Sequence, residues 1–385
     1  KEGTILESLY VQPVCSPTRS CLMTGRYPTR TGVYTVVQPH ADWGLPLAER
    51  TLAQALKDAG YQTAISGKWH LGAFEPAYLP TARGFDRQYG HYFGHIHYFT
   101  HMRASDHDWQ RDDRTVREEG YSTELIATEA CRIIAGRDPA KPLFLYVPFN
   151  GVHGPYAVPD RYKVAYAGIA DDRRRTLAGM LAAVDEAVGS VVDAIVKAGL
   201  REDTLIVFSG DNGGCPPGTN GRLRGFKGSL YEGGIRTCGF ATWPGHVPAG
   251  GRTSEPIHTV DWFPTIVKLS GGRLDGGQPL DGRDIWPVIT RGAKSPHEAI
   301  LVAKGPTRAA VRIGSWKLIA TDGQEELYDL AIDLEERTDR AAAEPDRVQA
   351  MRAKLADLLA DAKPARQEEP TERPRRQRSA AGTAR

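Results

Sequence analysis

The sequence predicts an α/β protein: a mixed, mostly parallel sheet covered by helices on both faces, with a smaller C-terminal α+β part built on antiparallel strands. Three observations carry this. Short apolar, β-branched runs alternate with longer segments of helical period. Each run ends in a polar loop, as strands of open parallel sheets do where they form sites. After about Gly292 the texture changes to closely spaced short strands with no helix between them.

The run TILESLYVQPV (4–14) reads as a strand entering a loop. It also reads as the middle of something, so an upstream part of the domain is expected to be missing from the chain. TAISGKWH (63–70), PLFLYVPFN (142–150), TLIVFSGDNG (204–213) and TCGFATWPG (237–245) read as buried strands ending in loops. Helices are expected over Thr51–Ala59, Ser122–Ala135 and Arg173–Ala198, where apolar residues recur at helical spacing. These elements assign 1–292 to one catalytic domain. Residues 293–360 form the smaller part: EAILVAK, RAAVRIGSWKLIA and EELYDL as antiparallel strands, then a helix near Pro345–Ala360. The stretch 361–385 lacks apolar content and is expected to be a disordered tail, its RPRRQR a solvated run rather than a binding patch.

Composition excludes several classes. With 385 residues and a formal net charge of +2, the chain has no basic excess outside its tail, which argues against a nucleic-acid partner. No apolar run approaches the ~18 residues of a membrane helix. Five cysteines at irregular spacing read neither as a disulfide framework nor as paired zinc ligands.

The chemistry gathers at the strand ends. Cys15-Ser16-Pro17-Thr18-Arg19 places a thiol just before a first-turn proline, hence at a helix N-terminus where anions are favoured. Arg19 follows one turn later. That pattern suits a reactive thiolate, although a buried structural cysteine is the plainer reading of these residues alone. Lys68 and His70, His153, and Asp211 with Asn212 each follow a strand. Each has a plain alternative: a surface lysine, a structural strand-end histidine, an Asp-Asn-Gly turn. Five histidines crowd 91–109 (His91, His95, His97, His101, His107). Three readings stand for them: a substrate-contacting aromatic loop, an inert loop and, ranked below both, a second metal site.

The run from Cys15 through LMTGRYPTRTG resembles the C-x-P-x-R signature of the formylglycine-dependent sulfatase family, in its arylsulfatase B-like branch. GYQTAISGKWHLG (60–72) resembles the second signature of that family. Further ordered matches follow: LPTARGFDRQYG (79–90), KPLFLYVPFNGVHGPYAVPDRY (141–162), AGMLAAVDEAVG (178–189), FSGDNGG (208–214), LRGFKGSLYEGGIR (223–236), HTVDWFPTIVKLSGG (258–272) and, near the end, GSWKLI and ELYDLAIDLEERTD. The resemblance implies an alkaline-phosphatase-like fold and hydrolysis of sulfate monoesters, aryl or saccharide. It implies that Cys15 is oxidised to Cα-formylglycine by a formylglycine-generating enzyme. Arg19 would support the resulting diol, and Lys68 and Lys227 would bind sulfate. His70 would take a proton and His153 would give one to the leaving alcohol. Asp211 and Asn212 would ligate Ca²⁺, with Mg²⁺ the second choice. The family also uses an Asp-Asp pair upstream of the cysteine, which residues 1–14 lack. Asp112-Asp113 and Asp171-Asp172 lie in charged loop or helix-start contexts. Two other functions therefore stay open: a phosphonate or phosphate ester hydrolase of the same superfamily, and an inactive sulfatase-like binding protein.

Overall fold

A computed structural model describes residues 2–366. The strand Gln62–Lys68 is central to a five-stranded sheet, parallel to Arg87–His91 on one side and to Leu143–Tyr146 on the other. Two short antiparallel strands, Gln110–Arg111 and Arg114–Thr115, extend its edge. A second sheet runs Ile206–Ser209, Gly239–Thr242, Thr4–Leu6, Gly251–Thr253. Three of its strands resume after short breaks as Arg236–Thr237, Leu9–Tyr10 and Ile257–His258.

The expected mixed α/β architecture is present, with an antiparallel insertion in the second sheet. Gly239–Thr242 inserts antiparallel between Ile206–Ser209 and Thr4–Leu6. The physical reason is the connection. Parallel neighbours need a crossover over the sheet, whereas residues 210–238 loop back at the sheet edge with only a four-residue helix, Glu232–Ile235.

The helices lie close to their expected bounds. Leu52–Asp58 starts at a capping box made by Thr51 and Gln54. Ser122–Ala135 buries Ile126, Ala130, Ile133 and Ile134, which recur at helical spacing. Asp172–Lys197 is capped by Asp171, whose carboxylate accepts from the Arg174 N–H.

The C-terminal sheet is an antiparallel meander, Ile300–Gly305, Arg308–Ile313, Trp316–Thr321 and Gln324–Asp329. Alternation decides its packing. Leu301, Val311, Leu318 and Leu327 face Val348, Met351 and Leu355 of the helix Pro345–Leu359. Ile300, Val302, Ala310 and Ile319 face Tyr10, Leu230 and Ile235. The second face therefore presses on the loop that carries Lys227. Beneath that contact lies a charged cluster with almost no access to water. The Lys317 ammonium bonds Glu232 at 3.0 Å and Glu336 at 2.7 Å, both carboxylates 0% exposed. Tyr10 donates to Glu232 at 2.8 Å. Burial opposes ionisation of Glu232, but Lys317, Tyr10 and Arg236 outweigh it and hold that carboxyl below its usual range.

The tail differs from expectation over its first residues. Chain 361–366 runs along the helix Pro28–Thr31, with the Lys363 N–H on Thr29 O at 2.8 Å and the Arg366 N–H on Gly32 O at 2.9 Å. Tyr34 donates to Lys363 O at 3.1 Å. Gly32 has φ 76°, and a Cβ there would lie 2.9 Å from Pro364 O. These contacts are made by backbone, which apolar content does not report. The RPRRQR run lies outside the described residues.

Lys317→Met removes the cation shared by the two buried carboxylates and leaves Glu232 only its longer ion pair with Arg236. We expect a loss of about 3–5 kcal/mol of stability, read as a lower urea midpoint, with part of the loss recovered when Glu336→Gln is added. A loss under about 1 kcal/mol would show that water reaches the cluster.

Candidate active site

The chain leaves the strand Leu9–Tyr10 through an extended Val14 (φ −146°, ψ 166°) and enters the helix Cys15–Thr24, with Cys15 the first helical residue. Thr18 Oγ accepts from the Gln12 N–H at 3.0 Å and fixes the entry. Cys15 is 2% exposed. The Lys227 ammonium stands 3.3 Å from its Sγ, so the helix N-terminus and a cation meet at one atom.

Arg19 reaches further than the spacing suggested. Its Nε and Nη2 both donate to Asp211 Oδ2, at 3.1 and 2.8 Å. Its Nη1 donates to the Lys68 carbonyl at 2.8 Å and lies 3.2 Å from the Tyr146 hydroxyl. One guanidinium thus joins the ends of three strands, Gln62–Lys68, Leu143–Tyr146 and Ile206–Ser209. Lys68 follows Gly67, whose φ of 134° and contact with Pro148 O exclude any Cβ. The Lys68 ammonium, 2% exposed, is 3.9 Å from the same Asp211 oxygen. Burial draws the Lys68 pKa down. Burial would push that of Asp211 up, but Arg19, Lys68 and Lys227 overcome it and hold the carboxyl well below the usual range. Three cations facing one carboxylate leave the pocket short of negative charge, which suits an anionic substrate.

His70 has φ 61°. Its Nε2–H donates to Val37 O at 3.1 Å, which leaves Nδ1 as the lone-pair nitrogen, buried without a hydrogen-bond partner. Ser16 Oγ donates to His70 O at 2.8 Å and accepts from the Val37 N–H at 3.1 Å, locking the histidine to the cysteine helix. Burial, with Lys68 and Arg19, keeps His70 neutral at pH 7. His153 donates from Nδ1 to Gly154 O at 2.7 Å and stacks on His95, ring centroids 4.9 Å apart. Burial and Lys227 bring its pKa down to about 4.

The structure thus joins Arg19, Lys68 and Asp211 by direct contact, sets Lys227 on Cys15 of the same helix as Arg19, and ties His70 to that helix through Ser16. Asn212 follows Asp211 in the chain, and His153 feels the charge of both lysines. Ser16, Tyr146 and His95 were not assigned places in this network from sequence. Ser16 lies inside the motif, and Tyr146 ends a strand that was read as ending in a site. The histidine run divides. His91 and His101 stack on Trp109 inside the fold, whereas His95 stands beside His153.

For a cation, Asp211 offers a carboxylate and Asn212 Oδ1 is buried with no partner. These oxygens fit a hard ion in kind, yet they are fewer than the roughly six to eight that Ca²⁺ takes. Among the described residues, no three His, Cys, Asp or Glu side chains stand together as a metal site. The other aspartate pairs are otherwise engaged. Asp112 accepts from the Gln88 N–H, Asp113 from the Tyr92 hydroxyl, Asp171 caps a helix and Asp172 pairs with Arg175.

Mixed α/β sheets with a C-terminal antiparallel sheet make an alkaline-phosphatase-like fold, and its strand ends gather lysines, an arginine and an acid around a helix-borne cysteine. The chain belongs to the sulfatase family: the family model named Sulfatase matches residues 1–272. It is 40% identical over 326 residues to arylsulfatase J of Mus musculus, covering 82% of this chain and 54% of that protein. It is 30% identical over 346 residues to N-acetylgalactosamine-6-sulfatase of Mus musculus, covering 82% of this chain and 65% of that one. The chain thus spans between half and two-thirds of the length of these relatives. The crystal structure of Ps i-CgsB in complex with k-i-k-neocarrahexaose superposes with a TM-score of 0.89 at 31% identity, covering 97% of this chain and 88% of that one.

If Lys227 depresses His153, removing its charge must raise the histidine pKa, because a neighbouring cation disfavours the imidazolium. In proton NMR of the free chain, His153 should titrate near pH 4 and move upward in Lys227→Met. A midpoint near the ordinary 6.5 in both chains would remove the electrostatic account.

Proposed function

We propose that the chain hydrolyses sulfate monoesters, of an aryl alcohol or a saccharide, with Cys15 as the nucleophile position after its conversion to formylglycine by a formylglycine-generating enzyme. The carrying observation is the Lys227 ammonium 3.3 Å from Cys15 Sγ, at a helix N-terminus joined through Arg19 to Asp211 and Lys68. Formylglycine, as its hydrate, would supply an oxygen nucleophile where a thiol now stands. Asp211 and Asn212 would hold part of the shell of Ca²⁺, or of Mg²⁺, which when bound supplies a Lewis acid.

The chain's own residues divide the remaining work. Lys68 and Lys227 neutralise the sulfate with fixed donors. Arg19 holds the strand ends in place, so its contribution is to position. His70 keeps a lone pair on Nδ1, free of any other bond, and takes a proton there. His153 gives a proton to the leaving oxygen. In the free chain it is neutral at pH 7. Burial is the larger cause of its lowered pKa, and a bound sulfate would offset the lysine part of that lowering and move the pKa upward.

The peptide ending at Arg19 is the first test. Chain purified from its native host should show loss of the thiol at residue 15 by mass spectrometry and should react with hydrazides. An unmodified Cys15 in every preparation would defeat the proposal. The second test separates the acid from the anion clamp. His153→Ala should slow hydrolysis of a sugar sulfate by roughly 10²–10⁴-fold and that of 4-nitrophenyl sulfate far less, because nitrophenolate leaves without a proton. Lys68→Ala and Lys227→Ala should slow both alike. An unchanged dependence on leaving-group pKa in His153→Ala would pass the acid role to another group. Paired aryl sulfate and aryl phosphonate substrates separate the sulfatase from a phosphonate hydrolase.

A further inference from the structure

His153 also lines a cavity of about 560 Å³ whose other lining residues none of the proposed catalytic steps uses. Gly154 and Pro155 form one wall, and the hairpin Met102–Arg103 with Asp106–His107 forms another. The hairpin turns through Ala104 at φ 52° and is pinned by Asp106, which contacts His40 at 3.0 Å. Arg103 lines the cavity half-buried and makes no side-chain hydrogen bond or ion pair among the described residues. The nearby carboxylate of Asp108 attracts it without a hydrogen bond, and accepts instead from the N–H groups of Tyr92 and Phe93, at 3.0 and 2.6 Å. No acidic residue lines the cavity. The guanidinium thus has no hydrogen-bonded carboxylate, and an anion in the cavity would offer it charge-assisted bonds.

His95 links this cavity to the ester pocket. It lines the cavity, stacks on His153, and feels the charges of Arg103, Lys68 and Lys227 together. Met102 and Pro155 add apolar surface of the kind that packs on the C–H face of a sugar, and the volume suits a small ligand.

We propose that this cavity is a subsite for the unit next to the sulfated one in a polyanionic saccharide, where Arg103 pairs with a second anionic group, sulfate or carboxylate. The inference rests on the sulfatase reading of the neighbouring pocket.

The test uses the full chain carrying Cys15→Ser, which keeps the pocket without turnover. Calorimetry compares three disaccharides that share one sulfated ring and differ in the other: neutral, sulfated, or bearing a uronate carboxylate. At least one charged form should bind roughly tenfold to a hundredfold tighter than the neutral form, the range for a hydrogen bond to a charged group. Which form gains identifies the anion. Adding Arg103→Met should bring the three affinities together, and Arg103→Lys should keep part of the gap. The lysine variant decides the matter if the methionine variant does not fold by circular dichroism. Equal affinities in the Cys15→Ser chain, or a gap that persists without Arg103, would overturn the subsite. Turnover of 4-nitrophenyl sulfate by the formylglycine-bearing chain keeps the two ideas apart. Turnover with equal affinities overturns the subsite alone. No turnover of any sulfate ester overturns the sulfatase reading and the subsite with it.

Discussion

The carboxylate of Asp211 is the counter-charge on which the site depends. Arg19, Lys68 and Lys227 are drawn together at the strand ends, and like charges that close repel strongly where water is scarce. Asp211 offsets the repulsion by taking two N–H bonds from Arg19 on one oxygen while lying 3.9 Å from the Lys68 ammonium. The same contact holds the geometry, since Arg19 also carries the Lys68 carbonyl. The pocket stays cationic yet ordered, ready to exchange water for an anion at little cost in rearrangement.

The C-terminal sheet reaches the same site by another route. It touches none of the chemical groups, but Lys317 bridges Glu232 and Glu336 beneath the loop 223–236, and Glu336 also accepts the Glu232 N–H at 2.7 Å. Arg224 adds a bond to Glu336 O at 2.7 Å and lies over the Tyr231 ring. Lys227 lies between these anchors in sequence. The sheet is thus the floor under Lys227, one of the two lysines proposed to bind sulfate, and its placement on both cores explains why it is buried on each face.

Much of this was legible in the sequence because the signals were local. Ser122–Ala135 was read to its observed bounds because apolar spacing persists throughout it. The strands before Lys68 and Asp211 showed because β-branched runs end abruptly in glycine and polar residues. The antiparallel insertion of Gly239–Thr242 was not legible, since strand direction depends on how a connection passes over the sheet. The packing of 361–366 was missed because main-chain bonds to Thr29 and Gly32 leave no mark in composition. Within the site, residue types were readable one by one. That Arg19 turns toward three strand ends, and that Ser16 ties His70 to the cysteine helix, follow only from strands brought together in space.

The burial of Cys15 sets a clock. The helix that carries it is closed by partners far along the chain: Asp211 lies 192 residues beyond Arg19, and Lys227 lies 212 beyond Cys15. In the folded protein the thiol is 2% exposed, so the enzyme proposed to oxidise it would have to meet an open chain. At roughly 5–20 residues per second, synthesis of the intervening stretch leaves an interval on the order of tens of seconds before the pocket can form. If Cys15 is modified as proposed, the fraction of active molecules would be decided by a race between modification and closure, and a chain that folds first with its thiol intact would stay silent until it unfolds.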